Sequence, residues 1–224
     1  MLYQRDSASF MLDAIRRHQR LCRKSKSGES LIQAIQSPAD NLKAKFNLEL
    51  QAQDSRQDFY DDVLYLDTDL DNVIRDTFEA CKSFDRNNAG SSLLNRIFED
   101  GTFSNIIRLP YAAEPNAAEK LAVKIESLGD THQLYPFAAR IRTAAQNVLK
   151  ALQQLNEAIR KEKTAEAETQ IAKMDLIRAY EINYLDARRQ LGATGADRLF
   201  PVLPARNNDT ANEEVVTESN NKAV

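Results

Sequence analysis

The sequence predicts an all-α protein, an elongated antiparallel helical bundle with long heptad-patterned helices. Three observations lead there. Ala, Leu, Gln, Glu, Arg and Lys, which lose least side-chain freedom in a helix, dominate the 224 residues, while Gly and Pro number six each and Trp is absent. Residues 39–84 and 137–191 contain neither Gly nor Pro. Within both stretches apolar residues recur at alternating steps of four and three, the signature of a heptad seam.

The first element, residues 7–23, reads as an amphipathic helix. Met11, Ala14, Ile15, His18, Leu21 and Cys22 fall at helical spacing, with Arg16, Arg17, Arg20 and Arg23 beside or opposite them. A loop around Gly28 and a short helical piece at residues 31–36 follow. Ser37 and Pro38 signal a new helix, Ser as the cap and Pro in the first turn, where its missing N–H is not needed. Phe59, Val63, Leu66, Leu70, Val73, Thr77, Ala80 and Phe84 form its seam. Gly90 and the asparagines before it suit a left-handed cap.

A short helix at residues 93–98 leads into an irregular stretch whose Phe103, Ile106 and Ile107 are expected to plug onto the core. Pro115 opens a modest helix to about residue 128, and Gly129 and Pro136 bracket a turn. Ile141, Ala145, Val148, Leu152, Leu155 and Ile159 form the second seam. It fades across residues 160–170 and resumes at Met174, Ile177, Tyr180, Tyr184, Ala187 and Leu191. One unbroken helix over residues 137–191 would be about 80 Å long at 1.5 Å per residue. Compactness argues for a hairpin in the polar stretch; helix propensity argues for continuity, which is favoured.

Residues 1–204 are expected to form the bundle, and residues 205–224, rich in Asn, Glu, Thr and Ser, a disordered polar tail. A Gly followed six residues later by Arg, an aliphatic residue and Phe occurs twice, at Gly90 to Phe98 and at Gly192 to Phe200. An internal duplication of two helical hairpins, with halves near residues 1–104 and 114–204, would explain this. Chance recurrence in a helix-rich chain is the simpler account.

Composition narrows the function. A net charge of −3 gives no general pull toward nucleic acid or anionic lipid. Cys22 and Cys81 read as free thiols, no apolar run is long enough to span a bilayer, and the N-terminal stretch lacks a secretory apolar region. A cytoplasmic protein is the expectation.

Chemical motifs are sparse. Asp67, Asp69 and Asp71 alternate as in a calcium loop, but that loop needs Gly at its sixth position and Glu at its twelfth, where this chain has Asn72 and Phe78. Three acids on the wet side of a helix is the better reading. Neither His18 nor His132 lies in a Glu-x-x-His pair, so a bundle di-metal site is not expected, nor is zinc. Cys22 one turn after His18 is the sharpest catalytic pairing, yet no acid is placed to orient the imidazole. No enzyme, cofactor or metal is expected.

Two charged stretches remain. Residues 1–30 carry seven basic residues against three acidic, a net +4, and residues 54–85 carry ten acidic against three basic, a net −7. Mutual complementarity is the favoured reading. The alternative is an anion- or nucleic-acid-binding strip of Arg16, Arg17, Arg20, Arg23, Lys24 and Lys26. Tyr180, Tyr184, Arg188 and Arg189 form a candidate partner interface, or else the rim of an ordinary core. The function expected is therefore a non-enzymatic structural or protein–protein interaction protein that pairs with itself or another helical protein. A regulatory nucleic-acid or phosphate binder is the alternative; nucleic acid is not the favoured partner, and no membrane is expected.

Overall fold

The computed structural model describes residues 1–25 and 28–200, so Lys26 and the expected tail lie outside the described residues. The described chain is all-α: α1 (Ala8–Cys22), α2 (Gly28–Asn87), α3 (Leu93–Ile97), α4 (Ser104–Ile107), α5 (Glu114–Glu126) and α6 (Tyr135–Leu199). Among the described residues no helix is long and apolar enough to cross a membrane.

α1 starts where Ser7 leaves the helical region and its hydroxyl accepts from the Phe10 N–H at 3.3 Å, satisfying one orphan donor of the first turn. α2 differs from the expectation of a new helix at Ser37. It begins at Gly28 and runs through Pro38 without a break. Proline removes the bond to the carbonyl four residues earlier, and that residue, Ala34, is exposed to water. On the opposite side Leu31, Ile35, Ala39 and Leu42 are buried at helical spacing, so one continuous apolar column carries the helix past the proline. Gly28 is required for a separate reason: a Cβ there would stand 1.9 Å from the Cys22 carbonyl oxygen.

The chain forms two compact units that do not follow the halves suggested by the sequence. Unit 1 takes residues 1–43 and the chain from residue 171; unit 2 takes residues 44–170. In unit 2 the two sequence seams pack on one another. Leu70, Ile74 and Cys81 share a core with Ala138, Ile141, Ala145 and Val148, and Val63 shares one with Ala151 and Leu155. Thr77 sits fully buried in its seam because its hydroxyl donates to the Val73 carbonyl at 2.7 Å. Phe103, Ile106 and Ile107 pack against the larger core. Asp85 accepts from the Leu93 and Leu94 N–H groups at 2.9 Å each, capping α3 across the turn that contains Gly90.

α6 is continuous across residues 160–170, with no hairpin. Where apolar residues run out, charges take over: Arg56 pairs with Glu162 at 2.9 Å and Lys45 with Glu168 at 2.8 Å. These pairs are partly exposed and worth about 1 kcal/mol or less each, so helix propensity carries most of this stretch. Ascending positions on α2 meet descending ones on α6, as Asp76 with Arg140 also shows. The break comes only at Gly192, with φ 72° and ψ 174°.

Replacing Gly28 by Ala is expected to destabilise the protein by about 2 kcal/mol or more, because the new methyl meets backbone that cannot rotate away. Chemical denaturation checks this; an unchanged midpoint would contradict the close packing of Gly28 on Cys22.

Candidate interaction surface

From residue 171 onward α6 carries two apolar columns. Ala172, Leu176, Tyr180 and Ala187 are buried, with Asn183 among them. Ile171 (56% exposed), Met174 (48%), Ile182 (54%) and Leu185 (52%) instead face solvent. At 100° per residue the second set falls within an arc of about 80° on the far side of the helix. The sequence seam through Met174, Ile177, Tyr180, Tyr184 and Ala187 is therefore corrected in part. Tyr180 and Ala187 belong to the core, Met174 points outward, and Asn183, a residue the apolar pattern passes over, points inward.

Asn183 is turned inward by hydrogen bonds. Its Nδ2 donates to the Leu31 carbonyl at 2.9 Å and lies 3.2 Å from His18 Nε2. His18 Nδ1 lies 2.9 Å from the Leu199 carbonyl, so Nδ1 bears the proton and Nε2 accepts. The imidazole is fully buried, packed by Phe200 at 4.1 Å between centroids and edge-on by Tyr180 at 5.5 Å. Burial holds its pKa below the ordinary 6.5, against a smaller opposing effect of the Leu199 hydrogen bond. A second proton would set Nε2–H against the Asn183 donor.

Cys22 is 3.5 Å from His18 Nε2, as the four-residue spacing suggested. However, it is fully buried, and desolvation pushes its thiol up to about 11. Cys81 is raised further, to about 12, by burial and then by Asp85. Neither has the electropositive, accessible setting of a reactive thiol.

A second buried polar group lies in unit 2. Asp67, Asp69 and Asp71 all lie within α2; Asp67 and Asp71 are half-buried and Asp69 is exposed. What the sequence did not show is that Glu114, in the first turn of α5 and only 1% exposed, joins Asp67 and Asp71. Burial, then the charges of Asp67 and Asp71, push Glu114 up to about 9, so it carries a proton at neutral pH. Asp71 is balanced on its other oxygen by Arg75 at 3.2 Å. Burial likewise raises Asp67. Among the described residues no group of three or more His, Cys, Asp or Glu is arranged to hold a metal ion. The arrangement is read as a buried acid held neutral beside two aspartates.

The other expected contacts divide. Tyr180 is a core residue, because it lies on the same column as Leu176 and Asn183, and so leaves the candidate partner patch. Tyr184 donates to Asp197 at 2.9 Å and stacks edge-on with Phe200; Arg188 lies over its ring at 5.9 Å; Arg189 pairs with Asp186. The Tyr184 contacts with Asp197 and Phe200 fasten the segment beyond Gly192, while Arg188 and Arg189 contact residues before it. Arg16, Arg17, Arg20, Arg23 and Lys24 are all exposed on α1 or just after it. Arg16 pairs with Asp13 within α1, and Asp71, Asp76 and Glu79 pair with bases within unit 2. An open groove of about 540 Å³ in unit 2 is lined by Leu66, Val73 and two alanines together with Asp69, Asn72, Asp76, Arg140, Thr143 and Asn147, of which Asp76 and Arg140 pair with each other.

Comparison with protein-family models, with curated proteins and with solved structures found no match.

Acid and base are expected to loosen different units. His18 must stay neutral in the fold, so its contribution is complete above its unfolded pKa near 6.5 and is lost as pH falls below it. Glu114 has the opposite sign: folding binds a proton, so stability falls as pH rises from 4.5 toward about 9. Asp85 and Glu126, whose pKa values are lowered, act below that window. Hydrogen-exchange protection, corrected for intrinsic rates, should drop in α1 on mild acidification and in α5 at alkaline pH. Glu114→Gln should flatten the α5 response; an unchanged slope would remove Glu114 from the account. Both thiols should alkylate slowly until the chain unfolds, and rapid labelling of Cys22 in the folded protein would contradict its burial.

Proposed function

We propose that this is a non-enzymatic interaction or structural protein, an antiparallel helical bundle that pairs with itself or docks a helical partner through the outer face of α6. The observation that supports this reading is the column of Ile171, Met174, Ile182 and Leu185, four large apolar side chains each about half exposed on one helix face. A soluble helix gains nothing from that arrangement unless something covers it, and a helical partner covers it as an amphipathic face in a groove or seam. The apolar seam residues at positions 59–84 and 141–159 are taken up by the cores of unit 2 and are not available for this purpose. The reading includes a cytoplasmic setting and an internally duplicated bundle. Gly90 and Gly192 both adopt positive φ, and Phe98 and Phe200, which follow them, are both buried.

A second reading has its own observation. Arg17, Arg20, Arg23 and Lys24 have no ion-pair partner among the described residues, which suits a phosphate or nucleic-acid contact. Their position near the C-terminus of α1 also favours cations without any ligand. If Arg16→Ala, Arg17→Ala and Arg20→Ala together abolish a salt-sensitive affinity for single-stranded RNA and leave the fold intact, this reading takes precedence.

The leading reading is tested with a photo-reactive residue at position 182, irradiated in purified protein and in cell extract. Adducts from position 182 but not from exposed position 190 are expected. Equal or absent adducts at both positions would defeat the docking face.

A further inference from the structure

We infer that the partner of this face is a second copy of the chain, paired antiparallel about a two-fold axis at Arg178. The inference rests on the docking face of α6 proposed above and specifies its occupant.

The spacing of the column is its first support. Ile171 and Met174 lie seven and four positions before Arg178, and Ile182 and Leu185 lie four and seven positions after it. The pattern reads the same in both directions. A two-fold interface requires that residue i meet j while j meets i. Antiparallel pairing centred on Arg178 places Ile171 against Leu185 of the second copy and Met174 against Ile182. Both contacts then recur on the other side of the axis, so all eight apolar side chains are covered by one operation.

Charge supplies the second support. Arg178 is the only charged residue on the midline of the column between Ile171 and Leu185, and acids stand three positions to either side, Asp175 and Glu181. All three are exposed, and none has an ion-pair partner among the described residues. Helical geometry sets the two acids about 60° to opposite sides of the midline. Two arginines meeting at the axis are therefore ringed by four carboxylates, and each guanidinium reaches acids of the other copy. The acids offset the repulsion that two arginines alone would create at the centre. The apolar residues set the register: the centred pair makes all four apolar contacts, a slide of three residues keeps two of them, and a slide of four keeps none.

Four half-exposed side chains per chain fall short of the roughly 1,200 Å² at which stable interfaces begin. The pair is therefore weak and concentration-dependent.

Sedimentation equilibrium of the full chain across micromolar to millimolar concentrations should show a reversible monomer–dimer equilibrium that Ile182→Asp abolishes. Mild oxidation supplies an independent measurement, since Cys22 and Cys81 are buried. Arg178→Cys should cross-link to itself. Ile171→Cys alone should not, because antiparallel pairing holds the two copies of position 171 about 21 Å apart, beyond disulfide reach. A mixture of Ile171→Cys and Leu185→Cys should. Self-linking of Ile171→Cys would show a parallel pair and overturn the arrangement, and a monomer at every concentration with no cross-link at position 178 would overturn the second copy altogether. Adducts from position 182 to a different protein in extract, with none in purified protein, would also overturn the second copy while leaving the docking face standing.

Discussion

Burial holds His18 without a second proton and Glu114 with its first, one neutral side chain in each compact unit. The cause is the same in both. Taking a charge out of water is so unfavourable that a buried group changes its protonation state instead. In unit 1 the neutral imidazole is a two-ended connector, donating at one nitrogen to the Leu199 carbonyl and accepting at the other from Asn183. Asn183 continues the line to Leu31. Two regions more than 150 residues apart, residues 18–31 and 183–199, are thereby joined through one ring and one amide. In unit 2 a neutral Glu114 at the start of α5 removes one of three like charges that would otherwise meet against Asp67 and Asp71 of α2.

The buried polar line also decides which face of α6 is presented. A helix turns as a rigid rod over a few turns, so fixing Asn183 inward fixes its neighbours. Leu176, Tyr180 and Ala187 follow Asn183 into the core. Ile171, Met174, Ile182 and Leu185 are the more strongly apolar set, and on hydrophobicity alone they would have been chosen for burial. They lose because rotating them inward would carry Asn183 away and strand the His18 acceptor and the Leu31 carbonyl, each costing about 1–3 kcal/mol when buried without a partner. Hydrogen-bond satisfaction outweighs apolar area here, and the surplus apolar column is left outside.

That competition also explains what was legible in the sequence. The helices of unit 2 could be read directly, because Val63, Leu70, Ile141 and Val148 lie on columns where apolar pattern and burial coincide. The helix over residues 137–191 was legible as continuous because propensity needs no tertiary information. Pro38 misled because a local stop signal is overridden when Leu31, Ile35 and Ala39 continue on one buried column and the lost bond faces water. The column of α6 in unit 1 was misread by one step because a buried Asn looks polar in sequence, and only its partners, more than 150 residues away in chain order, show why it is inside. Glu114 was invisible for the same reason. An acid beside Pro in a first turn has an ordinary local explanation in the helix dipole, and nothing nearby announces Asp67 and Asp71.

The exposed column follows from the buried one, and this gives the outer face of α6 a cause within the fold. A face left outside for want of hydrogen-bonding capacity would carry no order of its own. The observed face has order: its apolar residues are symmetric about Arg178, and so are the acids beside them. Core packing of a single chain places no demand on that symmetry, since the core lies on the other side of the helix. A contact between two identical helices does demand it, because only a palindromic face can meet its own copy in the antiparallel sense without mismatching one end. The constraint that explains why the column is outside therefore leaves its internal order unexplained, and pairing with a second copy supplies the missing reason.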